Sequence, residues 1–244
     1  MCLQIMTCSC FAQWQITAAA QLGKMSVMDR DFSAAPFSAW LPGAAVSVRY
    51  ERPHSIQSLA FSYLGGSLRT STSPSSTLGN DLINADYSFL YKLGAAGTAW
   101  SGGIGGSLLV LYDSRNYKDF INNNTSFDFV ASAAAAGGLA YHFDNGYHGW
   151  SIAEQLSIPL VSWLIQPPYG NETSSASLSG AGNRNSVTGF SGFFRLKNCL
   201  SLEKQLSPGS QLSLAWCWNY YKIKDIREVQ EADHRLGLIF RLTL

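Results

Sequence analysis

Few side chains in this sequence are placed for chemistry. His234 stands beside Asp233 and three residues after Glu231, a set that could move a proton if all three reached one site. The other histidines are His54, His142 and His148, each beside a turn, and they read as solvated turn residues rather than ligands. No metal-ligand spacing, phosphate-binding glycine loop, dinucleotide fingerprint or nucleophile elbow is present, so no cofactor or metal is expected. Glu154 is a carboxyl group in a row of large apolar residues, Trp150, Ile152, Leu156, Ile158 and Leu160. Cys199 and Cys217 flank the turn Ser207-Pro208-Gly209-Ser210, and across such a hairpin they share a face. They read either as a cross-strand disulfide in an oxidising compartment or as two free inward thiols.

The elements that carry these residues repeat every two positions. Leu212, Leu214, Trp216, Trp218 and Tyr220 alternate with Ser213, Ala215, Cys217 and Asn219. Leu236, Leu238, Phe240, Leu242 and Leu244 alternate with Arg235, Gly237, Arg241 and Thr243. This is the period of a β-strand with one apolar and one polar face. Ten stretches share it: 13–23, 44–52, 56–69, 81–93, 98–113, 126–143, 147–164, 186–205, 211–222 and 234–244. Several are far longer than the roughly five or six residues usual in soluble sheets, and they suit a tilted crossing of a bilayer. Short connections (53–55, 94–97, 144–146, 206–210) alternate with long ones (24–43, 70–80, 114–125, 165–185, 223–233). The run 93–112 lacks charge and is long enough for a membrane helix, but its glycines and its period of two favour a strand.

The expected fold is therefore all-β: a transmembrane antiparallel up-and-down barrel of about ten strands, with eight or twelve as alternatives. An even count puts both termini on the short-turn side, the periplasm in this reading, and the protein in the cell outer membrane. The chain has 244 residues, 46% hydrophobic and 14% charged, with a net charge of +1. That balance gives no field for nucleic acid. Mean hydropathy near zero is too polar for a helical membrane protein and suits a barrel with a polar lumen. Residues 1–12 are uncharged and end Cys10-Phe11-Ala12, which resembles a signal-peptide cleavage context but lacks a basic start. Their removal would take Cys2, Cys8 and Cys10 and leave 13–244 as a single domain. Trp14, Trp100, Tyr141, Phe143, Trp150, Trp163 and Tyr220 lie toward strand ends and read as aromatic girdles.

On the lumen side the pattern places Arg49, Glu51, Asp86, Lys92, Asp128, Arg195, Lys197, Arg235 and Arg241, with Asp113 and Glu203. Charges of both signs in a narrow barrel must pair or meet water, so a network of ion pairs filling the lumen is expected rather than a wide pore. Glu154 breaks the pattern, and with Pro159 in the same strand a bulge is expected that turns it inward. The polar long loops could hold a surface glycan or a protein. The other expected partners are outer-membrane lipid, lipopolysaccharide and the barrel assembly machinery.

Leu156-Ser157-Ile158-Pro159-Leu160, then Gln166-Pro167-Pro168-Tyr169, the Asn122-Asn123-Asn124 loop and the Phe11-Ala12-Gln13 context resemble small outer-membrane barrel proteins of Bacteroidetes type. The resemblance implies an outer-membrane barrel of unassigned role and carries over no site residues. The expected function is an outer-membrane barrel with a structural, surface-binding or minor transport role and no enzymatic activity. The alternatives are a rim hydrolase (protease or lipid A modifying) using His234, and a soluble ligand-binding barrel.

Overall fold

The computed structural model describes residues 13–30, 35–70, 76–93, 99–118, 125–143, 149–166, 184–224 and 228–244. Eleven strands follow in order: β1 Gln13–Asp29, β2 Phe37–Glu51, β3 Ser55–Thr70, β4 Thr77–Leu93, β5 Trp100–Tyr117, β6 Thr125–His142, β7 Trp150–Gln166, β8 Arg184–Thr188, β9 Phe193–Ser207, β10 Ser210–Ile223 and β11 Val229–Thr243. Each pairs antiparallel with its chain neighbour or closes the sheet, and β1 zips to β11 from Gln15↔Thr243 to Asp29↔Val229. The first strand thus pairs with the last, as the expected barrel requires, and the sheet is closed. β8 and β9 lie along the same edge of β7, β8 against Ser162–Gln166 and β9 against Trp150–Ser157, so they form one interrupted stave. Ten staves result, not eight or twelve.

Alternation explains the two surfaces. Outward rows such as Ile104, Leu108 and Leu214 expose more than half of each side chain, at 61%, 58% and 56%. A continuous apolar exterior of this kind belongs in hydrocarbon, where a closed barrel leaves no backbone edge unpaired. Aromatic pairs border it, among them Trp14 with Tyr50 at 4.5 Å and Trp100 with Tyr141 at 4.7 Å. Lys204 lies 5.1 Å over the Trp150 ring at the same border.

The strands are longer than the sequence pattern suggests. β5 has 18 residues. At about 3.3 Å per residue and a tilt of about 40° it rises roughly 45 Å, against an apolar band of about 25 Å. Parts of the stretches expected as long connections are therefore strand on the long-loop side: 24–29 continues β1, 37–43 begins β2 and 229–233 begins β11. The reason is a change of polarity with height. Above the band the outward residues turn polar (Lys24, Asp81, Asn116) while the inward ones turn apolar (Met25, Val27, Phe37, Leu41), so the alternation persists with its sign reversed.

Two irregularities are local. The stretch expected as one strand over 186–205 is broken by a tight turn in which Gly192 and Phe193 both donate backbone N–H to Gly189 O, at 3.2 and 3.0 Å. In β7 a bulge near Pro159 is present: Ala133 pairs with Val161 and Ala134 with Pro159, leaving Leu160 as the extra residue. It lies beyond Glu154 and does not turn it inward, contrary to expectation. Glu154 stays outward, accepting a 2.7 Å hydrogen bond from Asn198 Nδ2. Just before β7, Gly149 takes a φ of 78°, which favours glycine. The expected signal segment 1–12, the 122–124 loop, Pro167–Tyr169, His148 and the hairpin 144–146 lie outside the described residues.

Candidate functional site

The lumen has two tiers, set by which side chains the inward rows supply. In the outer tier, toward the long loops, the rows supply Met25, Val27, Leu64, Leu68, Leu78, Leu82, Leu111, Phe193 and Ile223, all buried to 1% exposure or less. Within this apolar packing lies a charged knot that the sequence pattern mostly missed. Arg115 is fully buried and meets Asp29 at 3.2 Å, Asp113 at 3.0 Å and Asp128 more closely. Gln166 donates to Asp128, and Tyr117 Oη donates to Asp29 at 2.9 Å. The Tyr221 hydroxyl lies 2.9 Å from Asp113 and 3.1 Å from Glu231. Three guanidiniums (Arg115, Arg195, Arg235) face five buried carboxyl groups (Asp29, Asp113, Asp128, Glu231, Asp233). Unpaired, any of these groups would be costly in such surroundings.

Of the lumen residues named from sequence, Asp113, Asp128, Arg195 and Arg235 belong to this tier or its floor. Arg235 grips Asp233 with Nε and Nη2, at 2.6 and 3.0 Å, and reaches Ser62 Oγ at 3.3 Å. Arg195 donates to Asn219 Oδ1 at 2.9 Å and Asn84 Oδ1 at 2.7 Å rather than to a carboxylate. Lys197 pairs with Asp86 just below.

The inner tier, toward the short turns, is open. Arg49 and Lys92 both bind Glu51, at 3.0 and 2.6 Å. Arg241 donates to Gln211 Oε1 at 2.7 Å and stands 3.5 Å from Glu203. Between these pairs and the Asp86–Lys197 floor lies a chamber of about 180 Å³ ringed by Thr17, Ser47, Ser58, Ser88, Ser107 and Ser157. A wider vestibule of about 520 Å³ shares Arg49, Ser58, Ser88, Cys199 and Arg241 with it. Small inward residues leave this space: Ala60 and Ser107 on the chamber wall, Gly103 and Gly138 on that of the vestibule. The named residues therefore divide: Arg49, Glu51, Lys92, Glu203 and Arg241, with Asp86 and Lys197, stand in small groups around a cavity, and the rest join the packed outer tier.

Cys199 and Cys217 are direct cross-strand partners with Cα atoms 4.0 Å apart, and their sulfurs are bonded, on the inward face beside the chamber. His234 does not join Asp233 and Glu231. Those two are buried inward, whereas His234 is exposed on the outer face, its ring stacked on Trp216 with centroids 6.0 Å apart. One step along a strand reverses direction, which adjacency in sequence does not reveal. His54 is exposed in its turn and His142 lies 3.3 Å from Ser101 Oγ. Among the described residues no group of His, Cys, Asp and Glu is arranged to hold a metal.

The signal that could have found Arg115 and Asp29 is the register itself. Continuing β5 and β1 past the last apolar outward residue places both on the inward parity, as it does Glu231.

No family model matches this chain, and no curated protein matches it significantly. Among solved structures it is similar to the outer membrane protease OmpT from Escherichia coli, with a TM-score of 0.55 at 8% identity over 96% of each chain. Other matches are the translocator domain of the autotransporter NalP from Neisseria meningitidis (TM-score 0.45, 10% identity, 93% of this chain and 88% of that one) and Ail of Yersinia pestis (0.37, 10%, 94% and 99%). The fold is that of outer-membrane β-barrels.

Proposed function

We propose that this chain is an integral outer-membrane barrel protein that is closed to solute passage, with a structural or surface-binding role. The observation that carries the reading is the outer tier: a full layer of apolar side chains and charge pairs with no exposure, across the path a pore would need. The inner tier is a hydrated blind cup facing the periplasm. In this reading the strand ends that rise above the band carry the contact surface for a glycan or protein clear of the lipid. Lipid and lipopolysaccharide cover the apolar band, and the barrel assembly machinery inserts it. The resemblance to small Bacteroidetes-type barrels belongs to this proposal. Catalysis does not, because His234 is turned away from the buried acids.

Planar-bilayer recording of the refolded protein tests the closed lumen. The expected outcome is no unitary conductance above the bare bilayer; steady open steps from the wild type would overturn it. Faster gel migration before heating than after is the matching check that the protein is a folded barrel.

A further inference from the structure

The outward rows between the girdles of β1, β2, β5, β10 and β11 carry no acid and no amide. β7 and β9 carry one of each. Glu154 stands opposite Leu139 of β6 and Leu200 of β9, and Asn198 one step away stands opposite Leu156 of β7 and Trp218 of β10. They are hydrogen-bonded at 2.7 Å on the side of the barrel that meets lipid. Polar groups at such positions are costly in hydrocarbon, and one bond satisfies only part of the set. The second Glu154 oxygen and the second Asn198 amide hydrogen have no partner among the described residues.

We propose that this face is an interface between two copies of the chain in the membrane, each Glu154 accepting from the partner's Asn198. Two copies inserted in the same sense are related by an axis along the membrane normal, so each residue meets partner residues at its own depth. Glu154 and Asn198 lie at one depth, and their free groups are complementary to themselves. Two Asn198 side chains offer four N–H groups, and two Glu154 side chains offer four oxygens. Pairing them closes a ring that uses each N–H and each carboxylate oxygen once. From the step next to Leu139 toward the long-loop side, the outward row of β6 is small (Gly137, Ala135, Ala133 and Ala131, opposite Leu156 to Trp163), which lets the backbones approach there.

This inference rests on the membrane reading above but fails separately from it. Sedimentation equilibrium of the full refolded protein in density-matched micelles should give a dimer. Glu154→Leu with Asn198→Leu should weaken association about tenfold or more, a loss of about 1.4 kcal/mol. The heat-dependent gel shift should stay unchanged, since both leucines suit a lipid-facing site. In lipid vesicles, Glu154→Cys should crosslink to a dimer under mild oxidant, and Val46→Cys, on the outward row of β2 across the barrel, should not. A wild type that is monomeric in micelles and uncrosslinked in vesicles overturns the proposal. So does a dimer untouched by the double substitution, or equal crosslinking at both positions. In any of these results a preserved gel shift leaves the barrel itself standing.

Discussion

The two halves of the lumen solve the same problem in opposite ways. Both are enclosed by the same ten staves and both must accommodate inward charge. The outer half buries its charges in an apolar shell, so each cation is held by several partners: Arg115 touches three carboxylates with no exposure. The inner half leaves charges in pairs beside open space, and Arg49 keeps 32% of its side chain exposed. Water can screen and replace the inner pairs, and it cannot reach the outer ones. Stability should therefore concentrate in the outer half, while the inner half should tolerate change.

The sharpest way to break that contrast is to remove one cation from each half. Arg115→Leu leaves Asp29, Asp113 and Asp128 buried without their shared charge, a loss of about 3–5 kcal/mol. Arg49→Leu removes a half-exposed partner of Glu51, which keeps Lys92, and should cost about 1 kcal/mol or less. Denaturant titration of both variants in lipid vesicles, followed by tryptophan emission, measures the difference. Equal losses would show that the outer knot is no more stabilising than a surface pair.

A smaller effect separates the halves by packing. Leu111 is fully buried in the outer shell, and Leu111→Ala should cost about 2–5 kcal/mol through lost burial and the cavity left behind. Ser107 faces the chamber, its hydroxyl without a protein partner, and Ser107→Leu should change stability by about 1 kcal/mol or less, because the space for it already exists. The same titrations apply. A large loss at Ser107 would mean that the chamber is as tightly built as the shell.

This contrast marks where the sequence was legible. Within the lipid band the exterior is apolar and the interior polar, so alternation alone placed Leu212–Tyr220 and Leu236–Leu244, the closing pair of strands and most of the lumen charges. Above the band water lies outside and the shell inside. The reversed rows around Met25, Leu78 and Val229 then read as irregular loop, and Asp29, Arg115 and Glu231 were lost with them. Arg115 in particular draws its partners from β1, β5 and β6, a long-range convergence that no local spacing encodes. Glu154 shows the opposite limit. Its outward parity is plain in the sequence, and the bulge expected from Pro159 falls at Leu160, beyond it, so the exception stands.

The smallest expected effect lies at the rim, where the outer half meets bulk water and should lose its special character. Glu228, just before β11, ties β10 to the end of β1: one oxygen meets Lys222 Nζ and the other Arg30 Nη1, each at 2.8 Å, while Arg30 N–H donates to Glu228 O at 3.3 Å. The hydrogen bond from Lys222, with help from Gln230 and the Arg30 charge, holds the Glu228 carboxyl below its ordinary value of 4.5. A carboxyl lowered in the folded state stabilises only while ionised. The clasp is therefore at full strength above that ordinary value, and it is lost as the pH falls through the lower, folded one. Because the clasp lies at the rim, with 56% of the Arg30 side chain and 29% of the Glu228 side chain exposed, screening keeps the contribution small and sensitive to salt. Amide exchange at Arg30, compared between wild type and Glu228→Gln at each pH, isolates it. The variant should exchange faster at neutral pH, the two should converge in acid, and added salt should narrow the gap. A gap that persisted in acid or ignored salt would mean that the rim behaves like the buried knot below it, and that the outer half is uniform up to its edge.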